Sequence, residues 1–149
     1  MGFGHAIPHI VERFINDDTD PFKIFGHDQT RAFCYIDDAV VGTVGAMESS
    51  KSDSQIYHIG NIDEISIEML TTYIGDLLQY TGSYSQSMTY PGSVSRRCPD
   101  ITKAIKDFSY SPKFEWQKAV RLTVEWYKEY FESGALPESG GFEDPESVL

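Results

Sequence analysis

Three arginines are the residues whose type and placement best suit chemistry in this sequence. Arg96 and Arg97 are adjacent in PGSVSRRCPDITKA, in a loop between a Pro-Gly turn and a helix start, and Arg31 follows the polar turn GHDQT. A guanidinium group is always charged and makes planar, bidentate hydrogen bonds, which suits it to phosphate. From the residues alone two interpretations stay open: capture of a phosphate-bearing ligand, or surface ion pairing with Asp and Glu.

The other candidates for chemistry are weaker. His5 and His9 have the i, i+4 spacing of metal ligands, but no third ligand stands beside them, so two helix-surface histidines are expected. Asp37 and Asp38 could form a carboxylate pair, but they precede an apolar helical run and are expected to cap it. Cys34 lies in an apolar stretch, where a thiol behaves as a small hydrophobe. The sequence therefore predicts no catalytic residue and no metal site.

The sequence also lacks two motifs that are typical of dinucleotide cofactor enzymes. A dinucleotide-binding loop has the pattern G-x-G-x-x-G between a strand and a helix, whereas Gly2 and Gly4 follow no strand, and Gly42 and Gly45 fall inside a predicted helix. Redox chemistry of the Tyr-x-x-x-Lys kind needs a lysine four residues after a tyrosine, and none of the nine tyrosines has one. No cofactor is expected to bind this chain alone.

The elements that must position these residues alternate between helices and short strands, which is typical of the α/β class. Apolar spacing predicts helices in GHAIPHIVERFIND, in AVVGTVGAM, after Ser66, from Asp100 to Phe108 and over 115–132. Strands are predicted at FKIF, RAFCYI and QIYHI, with another near 88–90. Two glycines weaken the AVVGTVGAM helix unless a neighbour packs closely against it.

Composition bounds the function. The length of 149 residues and the hydrophobic content of 40% predict one folded domain. The net charge of −11 argues against nucleic acid or an anionic membrane as partner. No stretch has the length of a membrane span, and no signal peptide is recognisable. Cys34 and Cys98 match no metal or redox spacing, which suits a reducing cytoplasm. Residues 133–149 are expected to form an acidic, disordered tail.

Three segments in register resemble the C-terminal half of the NAD-dependent nucleotide-sugar epimerases and dehydratases, the extended short-chain dehydrogenase/reductases. They resemble in particular the UDP-glucuronate decarboxylase and dTDP-glucose 4,6-dehydratase group. The segments are IFGHDQTRAFCYIDDAVVGTVGAM, QIYHIGNIDEISIEMLTTYIGDLL and PGSVSRRCPDITKAIKDFSYSPKFEWQKAVRLTVEWYKEYF. The resemblance implies that residues 1–132 form a small mixed helix–strand domain that lacks most of the Rossmann half.

The resemblance also implies roles for individual residues. Phe25 falls where the family has an aromatic beside the nucleotide base, Arg31 matches an arginine that meets the substrate diphosphate, and Asn61 matches a polar residue of the nucleotide site. Arg97, with Arg96 beside it, matches the diphosphate-binding arginine of the R-x-P-D-type motif. The alternatives are core packing for Phe25, a turn for Asn61 and a solvent-facing position for Arg96.

These matches predict that the chain binds a UDP- or dTDP-linked sugar as the substrate-binding part of such an enzyme. The NAD loop and the Tyr-x-x-x-Lys pair are absent, so the resemblance implies that the chain is inactive alone and that NAD belongs to the complete enzyme. It also implies exposed apolar surface for a Rossmann-half polypeptide or a second copy to cover. The alternative is a non-enzymatic, acidic protein-interaction module that retains the family scaffold.

Overall fold

The computed structural model describes residues 4–16, 20–89 and 91–133, and the chain divides into two compact units. Unit 1 takes its residues from Met1–His27, Ile67–Ser93 and Val120–Leu149, and unit 2 from Asp28–Ser66 and Val94–Ala119. In chain order the elements are α1 (Ala6–Asn16), β1 (Phe22–Phe25), β2 (Thr30–Ala32), α2 (Ile36–Glu48), β3 (Glu64–Ser66), α3 (Ile67–Leu77), β4 (Tyr84–Ser87), β5 (Arg96–Arg97), α4 (Thr102–Phe108) and α5 (Trp116–Glu132). This mixture confirms the α/β class.

Unit 1 is built on one parallel pair of strands. β1 pairs with β4 in a register that sets Phe22 against Tyr84 and Phe25 against Ser87. Phe14 of α1 stacks on Phe22 with ring centroids 3.9 Å apart. The helices bury one face each, because their apolar residues recur every three or four positions. The buried side chains of unit 1 include Ile7, Pro8, Ile10, Val11, Phe22, Ile24, Leu70, Thr71, Ile74, Val120, Val124, Tyr127 and Phe131.

Unit 2 contains a three-stranded sheet in the order β3-β2-β5, with β2 antiparallel to β3 and parallel to β5. Its core forms where Ile101, Ala104 and Tyr110 meet the partly buried side chains of Tyr57, Ile59 and Phe108. The Tyr110 hydroxyl donates to the Gly60 carbonyl oxygen at 3.0 Å, which satisfies the polar end of a buried ring.

The close neighbour that α2 requires is present. A Cβ atom on Gly42 would lie 2.6 Å from Cγ2 of Ile59 and 2.7 Å from the Tyr110 ring, so this helix face must carry a glycine. The other face is apolar and exposed, as the resemblance implies. We call it the α2 apolar face, and it comprises Ile36, Val40, Val41, Val44 and Met47.

Strand prediction fails where pairing partners are short or missing. The RAFCYI strand ends at Ala32, because its partners β3 and β5 have only three and two residues. QIYHI has no regular structure, since among the described residues no strand pairs with it, and Ile56 is 83% exposed. The strand expected near 88–90 lies earlier, at β4, where β1 supplies its hydrogen bonds. Residue 90 lies outside the described residues, as do residues 134–149 of the predicted tail.

The capping prediction is wrong for the Asp37–Asp38 pair. The residue that precedes α2 is Tyr35, which makes no side-chain capping bond, and the two aspartates lie inside the first turn. Asp38 is only 5% exposed, and its carboxylate accepts the backbone N–H groups of Lys113 at 2.9 Å and Phe114 at 3.0 Å. This carboxylate therefore accepts hydrogen bonds from the backbone of a distant loop rather than from the first turn of its own helix.

The helix predicted from Asp100 to Phe108 begins at Thr102, and the residue at its N-cap position is Ile101, which makes no side-chain capping bond. Asp100 Oδ1 accepts the backbone N–H of Thr102 at 2.9 Å, and this bonding at Thr102 lowers the pKa of Asp100. Among the described helices, none combines the length and the apolar character that crossing a membrane requires.

Gly42→Ala tests the close packing of α2. The added methyl group would overlap Ile59 and Tyr110, so we expect a loss of about 1–2 kcal/mol in the free energy of unfolding despite alanine's better helix propensity. Urea denaturation followed by circular dichroism measures it.

Gly45→Ala is the matched control for that substitution. Its Cβ would lie 3.2 Å from the Phe108 ring, so overlap and helix propensity nearly cancel and the change stays below about 1 kcal/mol. Equal effects of the two substitutions would contradict the packing argument.

Candidate functional site

The register of unit 2 places two of the predicted arginines side by side. In the parallel pairing of β2 with β5, Thr30 is opposite Arg96 and Arg31 is opposite Arg97. Successive strand residues point to opposite faces, so Arg31 and Arg97 share one face, together with Ile65 of β3. We call this the arginine face. The expectation that Arg96 and Arg97 lie in a loop is wrong, because they form the edge strand β5.

Arg31 is half-buried, and its guanidinium donates four hydrogen bonds. Nη1 donates to the carbonyl oxygens of Thr30 at 2.7 Å and Ser95 at 3.4 Å. Nη2 donates to Gln29 Oε1 at 2.9 Å and to the Val94 carbonyl oxygen at 2.8 Å. Burial, and secondarily the charge of Arg97, lowers the pKa of Arg31. Its positive charge is thus held in a fixed place.

Arg97 differs from Arg31 in having a free guanidinium. Its side chain is exposed, and within the described ranges it makes no hydrogen bond and no ion pair. Two like charges on neighbouring strands repel each other, and an anion bound between them relieves that repulsion. The arginine face therefore presents the charge and the unused donors that a phosphate group needs.

Arg96 lies on the opposite face in an exposed ion pair. Its Nε and Nη2 atoms donate to Glu64 Oε2 at 3.0 and 2.7 Å, and the Thr30 hydroxyl donates to the other carboxylate oxygen. The bond from Thr30, followed by those from Arg96, lowers the pKa of Glu64. For Arg96 this geometry favours surface ion pairing, which the sequence left open.

Asn61 lies in unit 2 on an open cavity of about 460 Å³ between α4 and the 109–115 segment. It is 4% exposed, its Nδ2 donates to the Phe114 carbonyl oxygen at 3.1 Å, and its Oδ1 accepts the Asp63 N–H at 2.9 Å. The bond to the residue two positions on is that of an Asx turn. The described lining of the cavity includes none of the three arginines, so the geometry favours the turn role for Asn61.

Phe25 belongs to unit 1 and ends β1. Its ring is half-buried, and the guanidinium carbon of Arg13 lies 5.3 Å from the ring centroid. The same Arg13 donates to the Lys23 carbonyl oxygen at 3.0 Å and covers the Phe22 ring. The partly exposed ring can stack on a planar group, and its role beside a nucleotide base stays a prediction.

Sequence reasoning missed the residues that hold the arginines. Gln29 is buried next to Arg31, and Glu64 pairs with Arg96 from 32 positions away. Gln29 could have been noticed in the QTR triplet, since alternate residues of a strand share a face. Nothing in the sequence marks Glu64, because its contact depends on the strand order.

The other chemical candidates remain without a site. Among the described residues, no group of three or more His, Cys, Asp and Glu side chains could hold a metal ion. Cys34 lies beyond the end of β2, half-buried, with its Sγ atom 3.9 Å from the Tyr110 hydroxyl oxygen. Burial raises the pKa of the Cys34 thiol, which disfavours the nucleophilic thiolate.

No protein-family model matches the chain, but individual proteins do. A UDP-N-acetyl-alpha-D-glucosaminuronate decarboxylase of Bacillus cytotoxicus is 30% identical over 132 residues, which are 80% of this chain and 40% of that protein. The human dTDP-D-glucose 4,6-dehydratase is 29% identical over 109 residues, 69% of this chain and 31% of that protein. The chain therefore spans about 30 to 40% of the length of these curated relatives.

Solved structures agree in fold. The UDP-glucuronic acid 4-epimerase of Bacillus cereus, in complex with UDP-glucuronic acid and NAD, superposes with a TM-score of 0.75 at 26% identity. The match covers 85% of this chain and 40% of that one. An epimerase of Methanothermobacter thermautotrophicus gives a TM-score of 0.78 at 19% identity, which shows the fold alone. The matched extent is consistent with a C-terminal half, as the sequence predicted.

The Glu64 ion pair predicts a pH dependence. The pKa of Glu64 is lower in the folded chain than its ordinary value of 4.5, so its stabilising effect is complete above that pH and is lost as the pH falls through the folded-state pKa. We expect Glu64→Gln to be less stable than the parent chain at pH 7. Urea denaturation measures the free energy of unfolding of both chains between about pH 3 and 7, which covers the titration of a carboxylate. The difference between the parent chain and Glu64→Gln should shrink as the pH falls. Glu48→Gln, an exposed change in α2, is the control, and a difference that is constant with pH would contradict the assignment.

Proposed function

We propose that this chain, a homologue of part of the NAD-dependent nucleotide-sugar epimerases and dehydratases, binds a nucleoside-diphosphate sugar on its arginine face. The observation that carries the proposal is the pairing of Arg31 and Arg97 on adjacent strands, with an Arg97 guanidinium that bonds to none of the described residues. A diphosphate supplies two negatively charged groups to two positive charges that otherwise only repel each other.

The ligand class is supported by the comparison. The Bacillus cereus relative is described with UDP-glucuronic acid, and other relatives carry names of UDP- and dTDP-sugar enzymes. A nucleotide diphosphate is common to all these substrates, so UDP and dTDP are suitable probes before the sugar is known. The proposal gives the recognition of phosphate to the arginines, and base stacking by Phe25 stays a separate prediction.

The chain alone is proposed to be inactive. The family's chemistry uses NAD, but no G-x-G-x-x-G loop follows a strand in this sequence and no tyrosine has a lysine four residues on. The residues present therefore do not fit the cofactor, and no catalytic step is assigned to them. The remaining 60% of the Bacillus cytotoxicus relative's length is where such groups would belong.

A partner is proposed for the α2 apolar face, where Met47 is 81% exposed. An amphipathic helix that turns its apolar residues outward is a docking surface rather than a stable solvent-facing helix. A Rossmann-half polypeptide is the proposed partner, and a second copy of the chain is the alternative partner. A cytoplasmic location also stays a prediction.

The alternative function is a non-enzymatic interaction module. The α2 apolar face and the net charge of −11 favour it, since both suit a protein partner and neither requires a nucleotide. It differs from the first proposal in expecting no nucleotide affinity.

Calorimetric titration with UDP and with dTDP tests the binding proposal. We expect saturable binding that Arg97→Gln weakens about ten- to a hundredfold, because a charge-assisted hydrogen bond contributes about 1.5–3 kcal/mol. Arg121→Gln, which removes one exposed guanidinium from α5, should change the affinity less than about twofold. Absence of binding, or equal affinities of the parent chain and Arg97→Gln, would overturn the proposal in favour of the interaction module.

Incubation of the chain with NAD and either UDP-glucuronic acid or dTDP-glucose tests the proposal that the chain alone is inactive. We expect no epimerised, dehydrated or decarboxylated product by mass spectrometry and NMR, because the cofactor loop and the general base are missing. The Bacillus cereus epimerase under the same conditions is the positive control. NAD-dependent conversion by the chain alone would refute the assignment.

A further inference from the structure

Helix α5 carries two apolar stripes, and unit 1 buries only one of them. The buried stripe belongs to the core of unit 1, where Val120 and Val124 are almost inaccessible to solvent. The second stripe, which we call the α5 aromatic stripe, repeats every four residues and comprises Leu122, Trp126 and Tyr130. A helix that packs on one side needs a single apolar stripe, so the second one is a candidate contact surface.

Trp126 lies at the centre of this stripe and is 56% exposed. Its ring stacks on that of Tyr130, with ring centroids 5.4 Å apart, and stands nearly perpendicular to the buried Tyr127 ring at 4.8 Å. These two contacts fix the orientation of the indole while more than half of its surface meets solvent. Tryptophan and tyrosine are the residues that most often supply the binding energy at the centre of protein interfaces.

An acidic ridge borders the stripe on the side away from the buried face, and it comprises the exposed residues Glu125, Glu129 and Glu132. A helix turns about 100° per residue, which places Glu129 about 60° from Trp126 and about 20° from Leu122 around the helix axis. The carboxylates therefore lie directly beside the exposed rings and the leucine.

The basic side chains of this part of α5 are already engaged. Arg121 donates to the Tyr73 hydroxyl at 3.5 Å, and Lys128 Nζ lies 3.8 Å from a carboxylate oxygen of Glu132. Within the described ranges the carboxylates of Glu125 and Glu129 make no hydrogen bond and no ion pair. Two negative charges of the ridge thus remain for a partner.

Charge decides which partner fits the stripe. The chain has a net charge of −11, and residues 134–149 contain four acidic residues and no basic one. Repulsion between like charges disfavours both a second copy and the chain's own C-terminal residues at the acidic ridge. A segment with lysine or arginine beside apolar side chains suits the site better, because its cations pair with the carboxylates and also bind the face of an indole ring.

We infer that the α5 aromatic stripe and the acidic ridge form a docking site for a basic amphipathic helix of a protein partner. Apolar side chains of that helix cover Leu122 and Trp126, and its lysine or arginine side chains pair with Glu125 and Glu129. The site lies on unit 1 and does not depend on nucleotide binding at the arginine face.

A synthetic amphipathic helix of leucine and lysine, about 18 residues long, is the probe. The chain has two tryptophans, so Trp116→Phe leaves Trp126 as the only fluorescent indole, and we expect saturable binding that shifts its emission to shorter wavelength. In calorimetry, Trp126→Ala should weaken binding at least tenfold. The double variant Glu125→Gln with Glu129→Gln should weaken it about three- to tenfold.

Two controls separate docking from the general attraction of a basic peptide to an acidic chain. Glu48→Gln with Asp53→Asn removes two exposed charges from unit 2, and Met47→Ala removes an apolar side chain from the α2 apolar face. Each should change the affinity less than about twofold. Equal losses in the two charge variants, or an affinity that Trp126→Ala leaves unchanged, would overturn the inference. Circular dichroism checks that each variant keeps its helix content.

Discussion

The parallel pairing of β5 with β2 is the contact on which the candidate site depends. Two residues of β5 meet Thr30 and Arg31, and this register decides which arginine faces Glu64 and which faces Arg31. Pairing between such short strands contributes little by itself, so side chains must reinforce it. Arg31 does so on one face through carbonyl oxygens, and Glu64 does so on the other through Arg96 and Thr30.

The same constraint explains why the two faces differ in chemistry. On one face a carboxylate neutralises the exposed Arg96, so this pair is satisfied without a ligand. On the other face the paired strand positions are Ile65, Arg31 and Arg97. This face therefore carries two positive charges, and none of its paired positions is acidic. Adjacent arginines that look equivalent in sequence are therefore separated by the alternation of the strand.

Sequence reasoning recovered the elements whose signal is local. The spacing of Ile7, Ile10 and Val11 sufficed for α1, because a helix depends on neighbours three or four residues away. The strands depend on partners far along the chain, so the extent of RAFCYI and the existence of β5 were missed. The role of Asp38 was missed for the same reason, because its carboxylate accepts a backbone N–H from a residue 75 positions away in the sequence. For the site, residue types were enough to select Arg31 and Arg97, but their juxtaposition needed the strand order.

The proposed diphosphate lies between the strands that carry Arg31 and Arg97, and ³¹P NMR of UDP observes that contact directly. On titration with the chain at low salt, we expect both phosphorus resonances to shift and broaden, and we expect the Arg97→Gln variant to leave them nearly unchanged. Phosphorus resonances that stay sharp and unshifted with the parent chain, or that respond equally to both chains, would contradict it.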